Sequence, residues 1–434
     1  MLTVPQVDCM RRLRSRYASF DVATGIRVER GGVAIGPQSF ARDVAVIGGA
    51  GHVGLPLALT FADCGLRTVI YDIDGRALAA IRRGEMPFAE EGGPEALARA
   101  LAGDALEITD RPNLLSDCEF LVLVIGTPVD ESLSPDFVGI LKAVDECAAH
   151  LRKGQVLILR STIFPGVSER VQRDLGERGL DVTVAFCPER VSQGHSLHEI
   201  RDLPQIISAF DPATLDRVRK LFGRFVVDFV EMTPMEAELT KLMTNAWRYL
   251  QFAAVNQFYM IASARGLDFE RILHGCRYRY PRMAGMPGPG LAAGPCLRKD
   301  TLQLAAFTPN DFPLGHAAML VNEGLPRHLV ELAKVRMPLV DKTAGILGMA
   351  FKAESDDTRD SLSYKLKKLL VMEARRVLCT DPYVSDPDLV PFERVLAESD
   401  VIFIGVPHRP YRDLVTPPGT LLIDAWGCVQ PRPS

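Results

Sequence analysis

"VAVIGGAGHVGLPLA", which runs from Val44 to Ala58, combines a short apolar strand, a glycine-rich turn and the start of an apolar helix. Three glycines, Gly49, Gly51 and Gly54, have the spacing GxGxxG between strand and helix. In this pattern the first glycine forms the tight turn, the second lets a pyrophosphate approach the backbone, and the third lets the helix pack against the strand. The stretch therefore predicts a dinucleotide site after the first strand of an α/β domain.

The next strand, "RTVIYDID", ends at Asp72. A carboxylate at this place accepts hydrogen bonds from the adenosine ribose and disfavours a 2′-phosphate, so NAD is predicted over NADP. His52 and Val53 lie inside the fingerprint and are expected to contact the cofactor, beside the free N–H groups of the helix start. A glycine-rich turn without a ligand is the alternative.

Continuous apolar strands alternate with helical stretches from Asp43 onward, which is typical of a doubly wound parallel sheet. A helical stretch of about thirty residues follows from Pro234 and stops at Gly266. A second strand–helix series then begins with "TAGILGMAF". We predict an α/β fold with two Rossmann-like doubly wound parallel-sheet domains joined by a long central helix. The predicted parts are an extension without assigned function (1–42), an NAD-binding domain (43–230), a central helical domain (231–325) and a C-terminal nucleotide-sugar-binding α/β domain (326–434).

Composition excludes several classes of protein. The 434 residues are 47% hydrophobic and 24% charged, as in ordinary globular enzymes. A net charge of −4 gives no basic footprint for nucleic acid. No apolar run reaches the ~18 residues of a membrane span, so no membrane partner is expected. Nine cysteines without CxxC spacing predict free thiols in the cytoplasm and no metal site.

Two later strands end in polar motifs. "IGTP" contains Thr127 and Pro128, and "RSTIFPG" contains Thr162. Ligands bind at the carboxyl ends of strands in open α/β sheets, so we expect these residues near the cofactor. Ordinary turn chemistry is the alternative for either motif, and their repeated place at strand ends favours binding.

Polar residues share one face of the long central helix. At about 100° per residue, Glu238, Lys241, Asn245, Arg248 and Asn256 fall within a narrow arc. A solvated face is one interpretation. The helix is apolar around most of its circumference, however, which favours a buried stripe whose Lys and Asn need partners or a ligand. A buried lysine shifts its pKa readily, which suits acid–base work.

A glycine-rich loop, "PGPGLAAGPCLRKD" at residues 287–300, delivers Cys296 beside Lys299 and Asp300. A surface loop with an incidental thiol is one interpretation. The other is a nucleophile whose glycines let a substrate approach the backbone closely. A neighbouring cation lowers the pKa of such a thiol.

In their order along the chain, the motifs resemble those of the nucleotide-sugar 6-dehydrogenases, which include the UDP-glucose, GDP-mannose and UDP-N-acetylhexosamine dehydrogenases. The resemblance covers roughly Asp43 to Gly427. It rests on "GGAGHVGLPLA", "IGTPVD", "STIFPG", "CPERVSQG", "EAELTKLMTNAWR", "CLRKD" and "GMAFKAESDDTRDS". It implies that the C6 alcohol of a nucleotide sugar is oxidised to a carboxylate in two hydride transfers to NAD, without release of the aldehyde.

The resemblance also implies catalytic roles. Cys296 is the nucleophile that traps the aldehyde as a thiohemiacetal and then becomes a thioester. Lys241 stabilises the oxyanion or assists proton transfer, and Asn245 helps to hold substrate and water. The remaining roles fall to Asp300, which assists through lysine or water, and to Thr162 and Glu189, which position the hydrolytic water.

The last domain is implied to bind the nucleotide sugar, with Lys352 and Arg359 meeting phosphate and sugar groups. By itself, "AFKAESDDTRD" is typical of a charged surface loop. Arg282 in "YPRM" resembles an arginine that reaches the substrate, across a dimer interface in related enzymes. Arg190 and Gly290 complete the implied substrate-binding set, and a homodimer through the central helix is implied.

The chain departs from the family pattern in two places. The stretch from Gly288 to Cys296 is one residue longer, and Ala292 and Ala293 occupy the region of paired glycines, where a Cβ reshapes the sugar pocket. Gln193 stands where the UDP-glucose enzymes have an acid. "CPERVSQG" followed by "LPQII" favours the N-acetylhexosamine branch.

Two other functions stay open at this point. A two-electron NAD-dependent hydroxyacid dehydrogenase shares the N-terminal fold and a helical lysine, but it needs neither "CLRKD" nor the last hundred residues. A non-catalytic nucleotide-sugar-binding protein is compatible with the altered glycine loop. The presence of Cys296, Lys241, Asn245 and Asp300 argues against it.

Overall fold

The computed structural model describes residues 40–127, 138–291, 294, 296–308 and 311–429. Most of the extension predicted at 1–42 therefore lies outside the described residues. Within them, two parallel-dominated sheets flank a long helix, so the predicted fold class is confirmed. None of the described helices is long and apolar enough to cross a membrane.

The first sheet has eight strands in the order β3-β2-β1-β4-β5-β6-β7-β8. All neighbours are parallel except β6 and β7. The strand order reverses between β1 and β4, which is where such sheets bind their ligands. The strands are β1 (Arg42–Ile47), β2 (Thr68–Tyr71), β3 (Leu106–Thr109), β4 (Cys118–Leu123), β5 (Val156–Leu159), β6 (Thr183–Phe186), β7 (Gln205–Ala209) and β8 (Phe229–Met232).

Helices cover both faces of this sheet, and β1 shows why its strands are apolar throughout. Val44 and Val46 point into one core cluster, while Ala45 and Ile47 point into another. A strand buried on both faces cannot alternate with polar residues. The helices of this region are α1 (Gly54–Asp63), α2 (Gly75–Arg82), α3 (Gly93–Ala102), α4 (Val138–Ala148), α5 (Val167–Glu177), α6 (Ser196–Asp202) and α7 (Pro212–Phe222).

The long central helix, α8, spans Pro234–Ser263. Thr233 caps it in a capping box with Glu236, and Pro234 occupies the first turn, where its missing N–H costs nothing. The helix ends three residues before Gly266, as the sequence predicts within the usual uncertainty of helix ends. Three further helices follow α8 in the chain, namely α9 (Phe269–Arg277), α10 (Leu297–Phe307) and α11 (Pro313–Arg336).

The second sheet is entirely parallel and has the order β10-β9-β11-β12. It repeats the class of the first sheet, as predicted. Its strands are β9 (Thr343–Leu347), β10 (Arg376–Thr380), β11 (Val401–Ile404) and β12 (Leu421–Ile423), and its helices are α12 (Leu362–Glu373) and α13 (Phe392–Glu398).

Asp381, directly after β10, ties the loops of the second sheet together. His408 Nδ1 accepts the N–H of Glu354 over 3.0 Å, so His408 Nε2 carries the proton and donates it to Asp381 Oδ2 over 3.1 Å. Both Asp381 and His408 have fully buried side chains. The other four donors to the Asp381 carboxylate are the backbone N–H groups of Met349, Ala350, Tyr383 and Val384.

We predict that Asp381→Asn lowers the free energy of unfolding by on the order of 2 kcal/mol at pH 7. Although burial opposes it, hydrogen bonding from His408 and the backbone lowers the Asp381 pKa from 3.8 to about 2. In Asp381→Asn, one carboxylate oxygen becomes an NH₂ group, a donor that faces the N–H groups which the oxygen had accepted. Because the folded pKa is depressed, this stabilisation is present above about pH 4 and is lost as the pH falls through about 2. Urea unfolding at pH 7 and pH 3 measures both effects.

Asp388→Asn is the matched control, because this carboxylate is 75% exposed and forms only a 3.5 Å ion pair with Lys367. Asp388→Asn should lower the free energy of unfolding by less than about 0.5 kcal/mol. Equal urea midpoints for the two variants at pH 7 contradict the role given to Asp381.

Candidate active site

The glycine turn between β1 and α1 leaves an open cradle. A Cβ at Gly54 would lie 2.2 Å from the carbonyl oxygen of Gly48, so only glycine lets α1 begin this close to β1. A Cβ at Gly51 would meet nothing nearer than 3.6 Å, so this backbone faces open space. No side chain caps α1 at its N-cap, Val53, which leaves its first N–H groups to a phosphate.

Asp72 and His52 lie beside this turn. Asp72 Oδ2 accepts the N–H of Ala50 over 2.9 Å, so the carboxylate at the end of β2 is tied to the glycine turn. The His52 ring stacks on Phe88 with centroids 4.2 Å apart. Burial lowers the pKa of His52, and the charge of Arg359 lowers it further. The turn, the uncapped helix start and the adjacent carboxylate fit a dinucleotide such as NAD.

Cys296 is the N-cap residue of α10, and solvent reaches its side chain. Protein atoms packed around the sulfur nevertheless raise the pKa of the thiol, and the Asp300 carboxylate raises it further. Lys299, Lys241 and Arg359 lower it by their charge. Three cations and one carboxylate, from three parts of the chain, therefore act on this thiol.

Asp300 joins three elements of the fold. Its side chain is fully buried, and Asn245 Nδ2 of α8 donates to Asp300 Oδ2 over 2.5 Å. The Lys299 ammonium lies 2.7 Å from Asp300 Oδ1 and donates to Thr127 Oγ1, beyond β4, over 3.2 Å. The structure thus links Asn245 to Asp300 and, through Lys299, links Asp300 to Thr127. Lys299 was not among the predicted site residues, although its place beside Asp300 is a signal for it.

Lys241 stands one helical turn before Asn245 on α8. Its residue is only 9% exposed. In the part of the chain that the structure describes, its ammonium forms no hydrogen bond or ion pair. A buried ammonium without a partner is costly, and such groups concentrate at functional sites.

A second buried ion pair lies between the ends of β5 and β6. Arg160 Nη2 and Glu189 Oε2 are 2.8 Å apart, and Arg160 is 2% exposed. The same guanidinium donates to Gln205 Oε1 over 3.0 Å and lies over the Phe222 ring. The other oxygen of Glu189 accepts the N–H of Val191. Sequence reasoning missed Arg160, although an arginine directly after the apolar strand β5 is a signal for a buried charge.

The loop that carries Thr162 is fixed at both ends. The Ser161 hydroxyl accepts the N–H of Ile125 over 2.8 Å and donates to its carbonyl over 2.9 Å, which ties the end of β5 to the end of β4. Glu238 of α8 accepts the N–H of Gly166 over 2.6 Å. Thr162 is therefore held between the first sheet and α8.

Lys352 and Arg359 belong to the loop after β9, and this loop reaches the first sheet region. The Lys352 ammonium donates to Ser192 Oγ over 3.2 Å and to the Gln193 carbonyl. Burial lowers the pKa of Lys352. Arg359 pairs with Asp357 over 2.6 Å, and Gln193 Nε2 donates to the same carboxylate over 3.2 Å. Gln193 therefore links the two regions.

Other predicted residues lie apart from Cys296 in their described contacts. Arg282 is exposed on the turn Pro281–Met283, and Arg190 donates to the Pro204 carbonyl. The expectation that the whole polar stripe of α8 is buried is wrong for Arg248, which is exposed because it lies at the edge of the arc. Among the predicted residues, Pro128, Ala292 and Ala293 lie outside the described residues.

Within the described ranges, no group of three or more His, Cys, Asp or Glu side chains is placed to hold a metal ion.

Three models of one protein family match the chain in succession. Residues 42–226 match the NAD binding domain of the UDP-glucose/GDP-mannose dehydrogenase family. Residues 235–323 match its central domain, and residues 345–431 match its UDP binding domain. The glycine turn lies in the first match, Lys241 and Cys296 in the second, and Lys352 and Arg359 in the third.

Two relatives have similar sequences. The UDP-N-acetyl-D-mannosamine dehydrogenase of Pyrococcus horikoshii is 29% identical over 383 residues, which cover 86% of this chain and 90% of that protein. The NDP-N-acetyl-D-galactosaminuronic acid dehydrogenase of Ralstonia solanacearum is 26% identical over 399 residues, which cover 86% of this chain and 93% of that protein.

Solved structures agree with the sequence comparison. The UDP-D-ManNAc dehydrogenase of Pyrococcus horikoshii superposes with a TM-score of 0.84 at 27% identity, over 90% of this chain and 97% of that one. The UDP-glucose dehydrogenase of Pyrobaculum islandicum superposes with a TM-score of 0.81 at 26% identity, over 90% and 96%. With the NAD binding, central and UDP binding domains all matched in order, this chain belongs to the UDP-glucose/GDP-mannose dehydrogenase family.

Proposed function

We propose that the chain is an NAD-dependent nucleotide-sugar 6-dehydrogenase, which oxidises the C6 hydroxyl of a UDP-sugar to a carboxylate. The observation that carries this proposal is the convergence on the Cys296 thiol of Lys241, Lys299 and Asp300. The family matches supply the NAD binding and UDP binding regions on either side.

Bound NAD supplies the acceptor for the two hydrides that the substrate carbon loses. The residues of the chain do the rest. The thiol of Cys296 gives its proton to a neighbouring base as its sulfur adds to the aldehyde carbon, and the carbonyl oxygen, negative at first, takes a proton to complete the thiohemiacetal. After the second oxidation the carbon is held as a thioester, which water opens to a carboxylate and the free thiol. In sum, one alcohol, one water and two oxidised cofactors give one carboxylate, two reduced cofactors and three protons.

Lys241 is placed to stabilise the oxygen that becomes negative when the thiol adds. Its ammonium is buried, it has no hydrogen bond or ion pair within the described residues, and its charge acts on the Cys296 thiol. Asn245 and Lys299 hold Asp300, the carboxylate that also acts on the Cys296 thiol. A preorganised cation costs no reorganisation when the charge develops, which is the strongest way to lower such a barrier.

Glu189 and Thr162 are proposed to position the water that opens the thioester. The Arg160 ion pair keeps the Glu189 carboxylate in one place, and Ser161 and Glu238 do the same for the loop of Thr162. Such rigid support is what a positioned water requires.

The nucleotide end of the substrate is assigned to Lys352 and Arg359, whose charges suit phosphate oxygens. Arg190 stays in the proposed substrate-binding set, whereas Gly290 is buried and both its backbone polar groups are bonded to Asn256. For the sugar we propose a UDP-N-acetylhexosamine. The relatives named above include two dehydrogenases of N-acetylated sugars, and Gln193 stands in place of an acid.

We predict two NADH and one uronic acid per sugar when the enzyme is tested on UDP- and GDP-sugars that include N-acetylhexosamines. Cys296→Ala should abolish carboxylate formation, because no thioester can form. NADH absorbance and product mass measure both results. Cys276→Ala is the control, since Cys276 is also a partly accessible free thiol and should leave turnover unchanged.

Carboxylate formation by Cys296→Ala at the wild-type rate contradicts the covalent mechanism. One NADH per substrate favours the two-electron alternative, a hydroxyacid dehydrogenase, which the match to a UDP binding domain already disfavours. Absence of NADH from the whole panel, with UDP-sugar binding retained, favours the non-catalytic alternative.

We also propose that a second copy of this chain packs on α8. Met243, Trp247, Phe258 and Ile261 are each at least half exposed. At 100° per residue they fall within about 60° of one another, so they form an apolar seam along the helix. An exposed seam of this kind on a helix of about 45 Å suits a self-complementary two-fold interface. Arg282 would then reach the substrate of the other copy.

We predict that the wild-type protein has twice the 47.7 kDa mass of one chain in multi-angle light scattering. Trp247→Glu should shift it to the monomer, because a charge at the centre of the seam must be desolvated on packing. Val335→Glu changes an 86% exposed valine on another helix, α11, and should leave the dimer intact. A monomeric wild-type protein, or a Trp247→Glu dimer of unchanged affinity, refutes this interface.

A further inference from the structure

The described residues of the glycine-rich loop that leads to Cys296, namely 287–291, 294 and 296, are called the cysteine loop here. Asn256 of α8 pairs with the backbone of this loop at Gly290. The N–H of Gly290 donates to Asn256 Oδ1 over 2.8 Å, and Asn256 Nδ2 donates to the carbonyl of Gly290 over 3.1 Å. One side-chain amide therefore satisfies both polar groups of a buried residue.

Asn256 is itself fixed in place. Its Nδ2 also donates to Asn322 Oδ1 of α11 over 2.9 Å, and Asn322 donates to the Tyr249 carbonyl over 3.3 Å. Both asparagines are fully buried. A buried amide whose partners are all in place is a rigid support, because any rotation leaves polar groups unpaired.

Trp426 holds the cysteine loop from the opposite side. A Cβ at Gly290, whose φ is +150°, would lie 2.3 Å from a ring carbon of Trp426. The indole is fixed by its Nε1, which donates to the Gly405 carbonyl over 3.1 Å, and by its backbone N–H, which donates to Asp424 over 3.0 Å. Trp426 lies in the region that matches the UDP binding domain, so the cysteine loop packs against that domain.

Phe351 makes a second contact of this kind, nearer to the thiol. A Cβ at Gly294 would lie 2.5 Å from the Phe351 ring, and the φ of Gly294 is +113°. Gly294 precedes Cys296 by two residues. The N–H of Phe351 donates to the carbonyl of Asp357 over 2.9 Å, which fixes the ring at the start of the loop that carries Lys352.

We propose that Asn256, Trp426 and Phe351 are positioning residues that set the place of the Cys296 thiol, and that the two rings make this placement depend on nucleotide bound to the UDP binding region. All three act through the backbone of the cysteine loop and not on the reacting atoms. The proposal rests on the function proposed above only in taking Cys296 as the nucleophile.

The test compares full-length variants by the rate at which iodoacetamide alkylates Cys296, read by mass spectrometry with and without saturating UDP. Asn256→Asp keeps the shape of the side chain but replaces its donor group by an acceptor that faces two oxygens. Trp426→Leu removes the ring, and Trp426→Phe keeps it. The values of kcat, KM and the UDP Kd are measured on the same samples.

We expect Asn256→Asp and Trp426→Leu to alkylate about tenfold faster, because the loop is released, and to lose about a hundredfold in kcat. The KM and the UDP Kd should stay within about threefold of the wild-type values. UDP should slow alkylation in the wild-type protein and no longer do so in Trp426→Leu. Trp426→Phe should bring the alkylation rate, kcat and the response to UDP most of the way back to the wild-type values, since a ring again fills the space at Gly290.

Gln155→Leu is the control, because Gln155 is also a fully buried amide whose donor group binds two backbone carbonyls, at the far end of the first sheet. It should lower stability and leave alkylation and kcat unchanged. Wild-type alkylation rates in both Asn256→Asp and Trp426→Leu overturn the proposal, as does equal acceleration in Gln155→Leu. If no nucleotide sugar is oxidised while alkylation changes as expected, the proposed activity fails and the positioning role stands.

Discussion

The buried carboxylate of Asp300 is the contact on which the rest of the site depends. A carboxylate without exposure is tolerated only when it is paired, because its desolvation costs several kcal/mol. Asn245 comes from α8, and Lys299 also touches Thr127 beyond β4. The pairing therefore fixes the first turn of α10 against both elements at once. Since α10 begins at Cys296, the same pairing places the thiol beside the carboxyl edge of the first sheet, where the cofactor cradle lies.

In both sheets, a carboxylate that follows one strand accepts N–H groups from the turn after the neighbouring strand, but the two carboxylates serve different purposes. In the first sheet, the acid after β2, Asp72, accepts an N–H from the turn that follows β1. In the second sheet, the acid after β10, Asp381, accepts N–H groups from Met349 and Ala350, which follow β9. Asp72 keeps capacity for the hydroxyls of a ribose. The oxygens of Asp381 are taken up by His408 and the backbone, so in the second sheet the carboxylate stiffens a loop. The proposed binding of substrate there falls to Lys352 and Arg359.

Local patterns in the sequence predict whatever depends on neighbours in the chain. The glycine turn, the long helix that begins at Pro234 and the alternation of strands and helices are of this kind, and the structure confirms them. The family resemblance assigns Asn245 and Asp300 to one site, but their hydrogen bond to each other is known only from the structure. The partners of Arg160, the place of Trp426 and the exposure of Arg248 could not be predicted, because their surroundings come from distant parts of the chain. An arc of polar residues shows which side of a helix faces inward. It does not show where the elements packed on that side end, and so it does not show that Arg248 is exposed.

In the proposed mechanism, the charges around Cys296 favour the adduct over the free thiol. Lys299 is neutralised by Asp300, and Arg359 by Asp357. Lys241 is left as the cation without an ion pair in the described part of the chain, and burying it costs free energy in the resting protein. That cost falls when an anionic oxygen forms beside it. Burial meanwhile raises the pKa of the Cys296 thiol. A site that is strained before the reaction and complementary after addition binds the transition state more tightly than the substrate, which is the condition for catalysis.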